Sequence, residues 1–476
     1  MKPQFNTLAE IYEHSVTSFP KRTAAEFVGG AQSYTYAQFR DCCDNISKRL
    51  SNFGIGAGDK VAILSENSPN WSAAFFAITV YGRIAIPMLP ELSAGEVENI
   101  LVHSEAKAIF VSKKQLSKLS EEAIGRLKLV IAIGDLSFIK AEGSSYTCDG
   151  KVSRPTALDT AAILYTSGTT GKAKGVMLCH RNFCTNVLTS WYSYKIGPRD
   201  VFLSILPMAH TYEMSIGMLY PFAMGAKVEY LQKVPTPSIL IATLAKIRPT
   251  AMLSVPLIIE KIYRSSIVPT ISKSKFLSYL DKHAKGLLYT MVGMKLKKTF
   301  GGRIGFFGIG GAKLDPEVEV FLKKARFPYA IGYGLTETAP LICSAAPRRT
   351  WPGTTGRPVK GIEVKLEDVN PQTGEGEICV KGPNVMLGYY KDYERTESVL
   401  SQDGWFRTGD LASVDKKGRY SIKGRLGSVI IGASGENIYP EEIENVINSM
   451  EGIGESLVVQ RDGKLVALVQ FNDNII

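Results

Sequence analysis

The sequence predicts an α/β fold with two layered sheet lobes, a small β-barrel-like unit and the start of a small, mobile α+β domain. Helix-like and strand-like segments alternate through the first half of the chain, and the alternation begins again near Asp200. From Trp351 onward, short strands joined by Gly- and Asp-rich turns replace it. Alternating strands and helices are typical of a mostly parallel sheet covered by helices, whereas short strands with tight turns are typical of an antiparallel one.

The individual elements are predicted from apolar periodicity. The segments predicted as helical in the first lobe are Leu8–Ser18, Tyr34–Leu50 after a short initial strand, and Asn70–Tyr81. The strands predicted there are Lys60–Leu64, Ala108–Val111 and Leu127–Ile133. The second lobe is predicted from strands Val201–Leu206, Lys227–Leu231, Thr250–Ser254 and Arg303–Phe307 and helices Ser238–Ile247 and Pro316–Ala325. The strands predicted in the β unit are Glu363–Leu366, Glu377–Val380, Leu411–Val414 and Arg419–Ile422.

These elements divide the chain into two domains. Residues 1–425 form a large N-terminal domain, with the α/β lobes at about 1–350 and the β unit at about 351–425. Residues 426–476 predict one helix opened by Pro440 and one hairpin around Arg461–Lys464, which together make a marginal unit. Because the chain stops just after an apolar strand, we expect this C-terminal domain to be incomplete.

Charge is unevenly distributed along the chain, whose net charge is +11. Segment 264–303 holds nine Lys and Arg residues against one acid, Asp281, and many apolar residues. This pattern is typical of a solvated helical face with its apolar side in the core. The alternative is a basic amphipathic surface that contacts an anionic membrane or an acidic cofactor. Nucleic acid is not an expected partner, because no nucleic-acid-binding module is recognised.

The N-terminal residues lack the apolar core of a signal peptide, and no uncharged apolar run is long enough to span a bilayer. Seven cysteines without CxxC spacing favour thiols in a reducing compartment. We therefore expect a cytoplasmic protein, with peripheral membrane contact as the alternative that the basic segment raises.

The run Leu164–Val176 is the strongest candidate for chemistry. Apolar residues lead into a loop rich in glycine and hydroxyl groups that also carries two lysines. Backbone N–H groups, hydroxyl groups and a cation suit a polyphosphate. The run is not a Walker A loop, because Gly168 is followed five positions later by Ala173. Gly308-Ile-Gly310 likewise does not complete a dinucleotide motif, because Lys313 replaces the third glycine.

Seven motifs together resemble those of the adenylate-forming superfamily, which includes acyl-CoA synthetases, firefly luciferase and the adenylation domains of peptide synthetases. In chain order they are Tyr165–Gly175, Pro207–Glu213, Gly310–Ala312, Gly332–Glu337, Gly404–Asp410, Arg419–Arg425 and Ser434–Pro440. They follow one another in this order from residue 165 to residue 440, so the resemblance is highly specific. It implies ATP and Mg²⁺ as cofactors, with coenzyme A as a co-substrate.

The resemblance also implies a role for each candidate residue. Those implied to hold the β- and γ-phosphates are Thr166, Ser167, Gly168, Thr169, Thr170 and Lys174. Those implied to hold the nucleoside are Gly310, Gly311 and Ala312 on one adenine face, Tyr333 and Gly334 on the other, Asp410 at the ribose and Arg425 at the ribose or phosphate edge. Thr336 would contact the α-phosphate, and Glu337 would ligate Mg²⁺ as an oxygen donor.

The implied reaction is attack of a carboxylate on the α-phosphorus, followed by domain rotation and attack of a pantetheine thiol. Pro207–Glu213 resembles the motif of the long-chain acyl-CoA synthetases, which places His210 or Tyr212 at the entrance to an acyl pocket. A fatty acid is therefore the expected substrate. Transfer to an acyl carrier protein is the alternative for the acceptor, and a non-catalytic nucleotide-binding protein is the alternative of a different class.

Two departures from the family pattern are expected to matter. Gly427 stands where the family usually has Asp or Lys at the rotation hinge, and glycine widens backbone freedom there. The family's adenylation lysine would lie beyond residue 476. We therefore expect slow adenylation by this 476-residue form.

Overall fold

The computed structural model of the chain describes residues 4–143, 153–166, 173–232, 236–431, 437–448, 450, 452–461 and 464–471. Its α-helices are α1 (Leu8–Ser18), α2 (Tyr36–Asn52), α3 (Pro69–Thr79), α4 (Ala94–Ser104), α5 (Glu121–Arg126), α6 (His180–Ser193), α7 (Tyr220–Ala223), α8 (Pro237–Ile247), α9 (Pro256–Ile262), α10 (Val268–Lys273), α11 (Lys275–His283), α12 (Lys285–Thr299), α13 (Pro316–Lys324), α14 (Tyr393–Val399) and α15 (Pro440–Asn448).

The strands fall into two large sheets, a smaller sheet and two short pairs. In chain order they are β1 (Thr23–Phe27), β2 (Ser33–Thr35), β3 (Lys60–Leu64), β4 (Ile84–Met88), β5 (Ala108–Val111), β6 (Leu129–Ala132), β7 (Phe138–Ala141), β8 (Thr160–Thr166), β9 (Lys174–Cys179), β10 (Val201–Ser204), β11 (Lys227–Tyr230), β12 (Ala251–Ser254), β13 (Phe306–Ile309), β14 (Tyr329–Gly334), β15 (Leu341–Ala345), β16 (Arg357–Pro358), β17 (Glu363–Glu367), β18 (Gly376–Lys381), β19 (Gly388–Tyr389), β20 (Phe406–Val414), β21 (Tyr420–Arg425), β22 (Ile430–Ile431), β23 (Asn437–Ile438), β24 (Ile453–Arg461) and β25 (Lys464–Phe471).

The two large sheets form the two lobes and are mostly parallel. One has eight strands in the order β19-β9-β8-β4-β3-β5-β6-β7, and the other has nine in the order β16-β15-β14-β13-β12-β10-β11-β1-β2. β3 pairs in parallel with β4 and β5, and β12 pairs in parallel with β10 and β13. The predicted α/β fold class is confirmed.

Three details differ from the sequence prediction. β1 and β2 come early in the chain, yet they join the second lobe through parallel pairing of β1 with β11. β13 begins at Phe306 rather than Arg303, because Gly301 and Gly302 adopt positive φ angles and turn the chain after α12. The short strands β16 and β19, from within residues 351–425, lie at the edges of the two large sheets.

Helix α3 lies in the apolar layer that the two lobes share. Ser68 caps its N-terminus, Pro69 occupies its first turn, and all of its residues are buried. A helix that is apolar all round is typical of a core position. Phe76 packs on Phe222 of α7, with ring centroids 4.4 Å apart. Burial of each such side chain stabilises the fold by about 1.5–3 kcal/mol.

The β unit is a four-stranded antiparallel sheet in the order β17-β18-β20-β21. Beyond it lie α15 and the β24–β25 hairpin, as predicted. Tyr439, just before α15, donates a hydrogen bond to Glu375 at 2.5 Å. Among the described residues, no helix combines the length and apolar character that crossing a membrane requires.

Candidate active site

Two glycine-rich motifs meet at the carboxyl edge of the nine-stranded sheet. β13 and β14 are parallel neighbours, with Ile309 opposite Ile331, so Gly310–Ala312 lies beside Gly332–Gly334. A side chain on Gly310 would contact both the ring of Tyr212 and the carbonyl oxygen of Gly332. The carboxyl ends of parallel strands are the usual place for a ligand in an open α/β sheet.

Gly334 is required by the turn that follows β14. A Cβ atom at this position would lie 1.7 Å from the carbonyl oxygen of Pro340, which is backbone and cannot move aside. The chain turns here through the short 3₁₀ helix Thr336–Thr338, which carries both Thr336 and Glu337. The close approach of the backbone therefore fixes where the Glu337 carboxylate lies.

The first cluster joins Tyr333, Asp410 and Arg425. The Tyr333 hydroxyl donates to Asp410 Oδ2 at 2.7 Å, and Arg425 Nε lies 3.2 Å from Asp410 Oδ1. Asp410 is buried, whereas the Arg425 side chain is 59% exposed. Burial, followed by the neighbouring Asp410 charge, raises the pKa of Tyr333 well above its usual value. Tyr333 is therefore a neutral donor that holds the carboxylate in place.

The second cluster joins Lys174, Glu337 and Tyr389. Lys174 Nζ donates to Glu337 Oε1 at 2.7 Å and to the Tyr389 hydroxyl at 2.9 Å. The Tyr389 hydroxyl in turn donates to Glu337 Oε1 at 2.9 Å. Burial, followed by the Glu337 charge, raises the pKa of Tyr389. Within the described residues, the hydrogen bonds of this carboxylate all fall on Oε1, so an oxygen remains for a hard cation.

Thr166 and Lys174 bracket the predicted phosphate loop. They face each other as Cα partners in the antiparallel pair β8–β9. Thr166 Oγ1 is buried and has no hydrogen-bond partner among the described residues. The predicted residues Ser167, Gly168, Thr169 and Thr170 lie outside the described residues. Of the two residues that bracket the loop, Lys174 lies beside Glu337, and the hairpin holds Thr166 opposite Lys174.

Tyr389 is the site residue that sequence reasoning missed. β19 pairs with β9, which brings Tyr389 opposite Val176 and next to Lys174. Two residues before β19, the Met386 N–H donates to the Glu337 carbonyl at 2.8 Å. Gly175 leaves room for this approach, since a Cβ there would lie 3.3 Å from the Cβ of Tyr390. In the sequence, the signal that could have indicated Tyr389 is the pair Gly388-Tyr389, but this pair is typical of an ordinary turn.

Two buried asparagines on α6 also support the site, and the sequence motifs did not predict them. Asn186 Nδ2 donates to the Thr338 carbonyl at 3.1 Å, and its Oδ1 accepts from the Leu341 N–H at 2.9 Å. Asn182 Nδ2 donates to the Val385 carbonyl at 2.8 Å. They therefore fasten the Glu337 turn and the approach to Tyr389 to one rigid helix.

A narrow slot lies beside the glycine-rich strand ends. Its cavity volume is about 40 Å³, room for only a few water molecules. Tyr212, Ile216 and Tyr220 form one wall, and Gly308 and Gly332 lie opposite. None of the described residues that line it is charged.

Of the two residues predicted at the entrance of an acyl pocket, Tyr212 is the one that lines the slot. Its ring lies over Gly308 and Gly310, so it forms part of the slot wall. The His210 side chain is exposed and is not among the residues that line the slot. It lies where the chain turns into the helix that carries Tyr212.

Comparison with known proteins identifies the family. The model of a family described as AMP-binding enzyme matches residues 12–390. The chain belongs to the AMP-binding enzymes. A peroxisomal long chain acyl-CoA synthetase 6 from Arabidopsis thaliana is 31% identical to this chain, covering 100% of it and 74% of the relative. Fatty acyl-CoA synthetase A from Dictyostelium discoideum is 27% identical, covering 88% and 69%.

A solved structure also matches this AMP-binding enzyme over nearly its full length. ATP-bound MatB from Rhodopseudomonas palustris superposes with a TM-score of 0.78 at 26% identity, covering 98% of this chain and 89% of the other. The family and this likeness support ATP as the nucleotide that the site takes, with the chain acting as an AMP-forming ligase.

Proposed function

We propose that this AMP-binding enzyme activates a medium- or long-chain fatty acid with ATP, forming an acyl-adenylate and then an acyl-CoA. The observation that carries the proposal is the uncharged slot beside the glycine-rich strand ends. A slot of about 40 Å³ buries only a few methylenes of such a chain, and each buried methylene contributes about 0.8 kcal/mol. The acyl-CoA synthetases among the relatives support the same substrate class.

The lining of the slot disfavours substrates with a second charge. The ammonium group of an amino acid, or a second carboxylate, would enter a site whose described lining offers no counter-charge. Burying an unpaired charge costs far more than burying an alkyl chain releases. A monocarboxylate with an apolar tail therefore fits best.

The nucleotide is proposed to lie across the two clusters. Tyr333 and Gly334 would contact one adenine face and Gly310–Ala312 the other, with the ribose hydroxyls donating to Asp410. Arg425, at the surface end of this cluster, would reach the ribose or phosphate edge.

The phosphate end is proposed to lie at the second cluster. Thr166 and Lys174 would bind the β- and γ-phosphates together with the loop residues Ser167, Gly168, Thr169 and Thr170, and Thr336 would contact the α-phosphate. The unpartnered Thr166 hydroxyl supports this, because a buried hydroxyl group without a partner is costly.

Glu337 fits Mg²⁺ because it offers a buried carboxylate oxygen beside Lys174. The ion would neutralise phosphate charge when bound. In the first step a carboxylate oxygen of the fatty acid bonds to the α-phosphorus, and the bond from that phosphorus to the bridging oxygen breaks to release pyrophosphate. Catalysis then rests on charge neutralisation by Lys174 and on positioning by the Thr336 hydroxyl, as in other phosphoryl transfers.

In the second step a thiol attacks the acyl carbonyl and AMP leaves. Coenzyme A is the proposed acceptor, in line with the names of the relatives. An acyl carrier protein offers the same pantetheine thiol and is the alternative acceptor.

The test is product analysis with a ladder of saturated acids, ATP and Mg²⁺, supplied with either coenzyme A or a pantetheinylated carrier protein. We expect acyl-CoA to form, with kcat/KM rising by about fourfold per added methylene until the slot is filled. Products with amino acids or dicarboxylates but not with fatty acids would contradict the proposal. Acylation of the carrier protein alone would assign the alternative acceptor.

The basic segment 264–303 is proposed as a peripheral membrane contact. Four large apolar side chains on α11 and α12, those of Phe276, Tyr279, Leu287 and Met294, are between 53% and 63% exposed. The exposed lysines around them are Lys273, Lys275, Lys282, Lys285, Lys295, Lys297 and Lys298. Exposed apolar groups among cations suit an anionic lipid surface.

Co-sedimentation with phosphatidylserine-containing and neutral vesicles tests this contact. We expect binding to the anionic vesicles only, weakened by salt and by charge reversal at Lys275 and Lys282. Equal sedimentation with both kinds of vesicle, or with neither, would contradict it.

A further inference from the structure

Glu213 is a buried acid that the proposed chemistry does not use. It is 1% exposed and begins the π-helical segment Glu213–Leu219. Its carboxyl group bonds with Ser204 at the end of β10, and Ser204 Oγ also accepts from Asn67 at 3.0 Å. Its Oε2 atom has no hydrogen-bond partner among the described residues. Buried polar atoms without a hydrogen-bond partner are rare in native proteins, so this one requires a physical explanation.

The carboxyl group lies directly on the helix that carries it. A Cβ atom on Gly217 would lie 2.7 Å from Glu213 Cδ, so the missing side chain at this position makes room for the acid. The segment is π-helical, with the Tyr220 N–H bonded to the Ser215 carbonyl. Single π-helical turns are frequent at functional sites.

This helical segment is also the wall of the slot. Tyr212, Ile216 and Tyr220 line the slot at intervals of four residues, on the face next to that of Glu213. On the other side, Ser215 Oγ donates to the Ala339 carbonyl at 2.8 Å, in the turn that follows Glu337. The position of the Glu213 carboxyl group therefore affects both the wall of the slot and the turn that follows Glu337.

Among the described residues, no compensating cation lies beside Glu213. The titratable groups that interact with it are Tyr212 on its own helix and Tyr230 on β11, both neutral donors. Neither an ion pair nor a lysine, arginine or histidine partner is found for it in the described part of the chain. Burial raises its pKa to about 8, so the acid is protonated at neutral pH and becomes an unpaired buried charge in mild alkali.

We propose that Glu213 is a positioning residue for the fatty acid: its neutral carboxyl group, seated on Gly217, fixes the helical segment that forms the slot wall. The inference rests on the proposed function and deepens it, because it assigns the residue that sets slot shape. Ionisation would displace the segment and weaken fatty-acid binding, while the nucleotide clusters would keep their geometry.

The test measures KM for a medium-chain acid and for ATP by ATP–pyrophosphate exchange between about pH 6.5 and 9.5, where the substrate is fully ionised. For the protein as it is, we expect the fatty-acid KM to rise about tenfold above pH 8 and the ATP KM to change less than twofold. Glu213→Gln, which mimics the neutral acid, should remove the rise. Glu319→Gln replaces another buried acid, which lies outside the slot lining. This variant should retain the rise in fatty-acid KM above pH 8.

Gly217→Ala provides a second probe, because the added methyl group displaces the carboxyl group without changing its charge. We expect its fatty-acid KM to be raised at every pH by about tenfold, with the ATP KM unchanged. An unaltered alkaline rise in Glu213→Gln, or equal effects on both KM values, would overturn the inference while leaving the proposed function intact. Loss of exchange with every fatty acid at every pH would instead remove the function on which it rests.

Discussion

Replacing Asp410 by Asn tests the charge at the centre of the nucleoside cluster. Asparagine keeps the shape of the side chain but turns one acceptor oxygen into a donor, which cannot accept from the Tyr333 hydroxyl or from Arg425. Arg425 is largely exposed, so its ion pair with Asp410 contributes about 0–1 kcal/mol. The bond from Tyr333 at 2.7 Å is partly buried, and a hydrogen bond to a charged group contributes about 1.5–3 kcal/mol.

These magnitudes predict the kinetic effect. If the ribose hydroxyls donate to the same carboxylate, Asp410→Asn loses at least one charge-assisted bond in the bound state. Since a tenfold change corresponds to about 1.4 kcal/mol, kcat/KM for ATP should fall about 10- to 100-fold. The assay is ATP–pyrophosphate exchange with ATP varied at saturating fatty acid.

Tyr333→Phe is the matched control, because it removes the donor and leaves the carboxylate for the ribose. We expect a decrease of less than about tenfold in kcat/KM for ATP from this variant, and an unchanged fatty-acid KM in both. An Asp410→Asn protein that folds normally and keeps the ATP dependence of the parent would refute the assignment of the ribose site.

Three further predictions follow from single contacts. Tyr389→Phe removes a hydroxyl that bonds to Glu337, so exchange should fall about tenfold and need more Mg²⁺ in a metal titration. Gly334→Ala places a methyl group on the Pro340 carbonyl, so the melting temperature or soluble yield should drop sharply. Glu213 has a folded-state pKa raised to about 8, so its contribution to stability is complete below its unfolded pKa and lost as pH rises through 8. The Gln side chain of Glu213→Gln does not titrate. The melting temperature of this variant, relative to that of the parent protein, should therefore rise between about pH 5 and 8 and show no further relative change above pH 8.

Local signals predicted elements well where caps and breakers define them. Thr7 caps α1 and Pro316 opens α13, and both helices begin where the sequence places them. Strand ends were less accurate where a turn intervenes, as at β13, because the turn through Gly301 and Gly302 after α12 delays the start of the strand from Arg303 to Phe306. Apolar periodicity alone does not show where a turn ends, so it misplaces the first residue of the strand that follows.

Contacts distant in sequence could not be predicted in this way. Tyr389 reaches Lys174 only because β19 adds to the edge of the eight-stranded sheet, a pairing between segments about two hundred residues apart. The same holds for Asn186, whose amide fastens the turn of Glu337. The motifs located the centre of the candidate site, while the side chains that hold it in place come from elsewhere in the chain.

Glu337 is the residue on which the account depends most, because it joins the lysine of the phosphate loop to the proposed metal. The most direct measurement is ATP–pyrophosphate exchange with a ladder of fatty acids, on the protein and on Glu337→Ala. We predict exchange that requires both fatty acid and Mg²⁺ and that falls by about 100-fold or more in the variant. ATP binding without exchange for any fatty acid, or full exchange in the variant, would contradict the account.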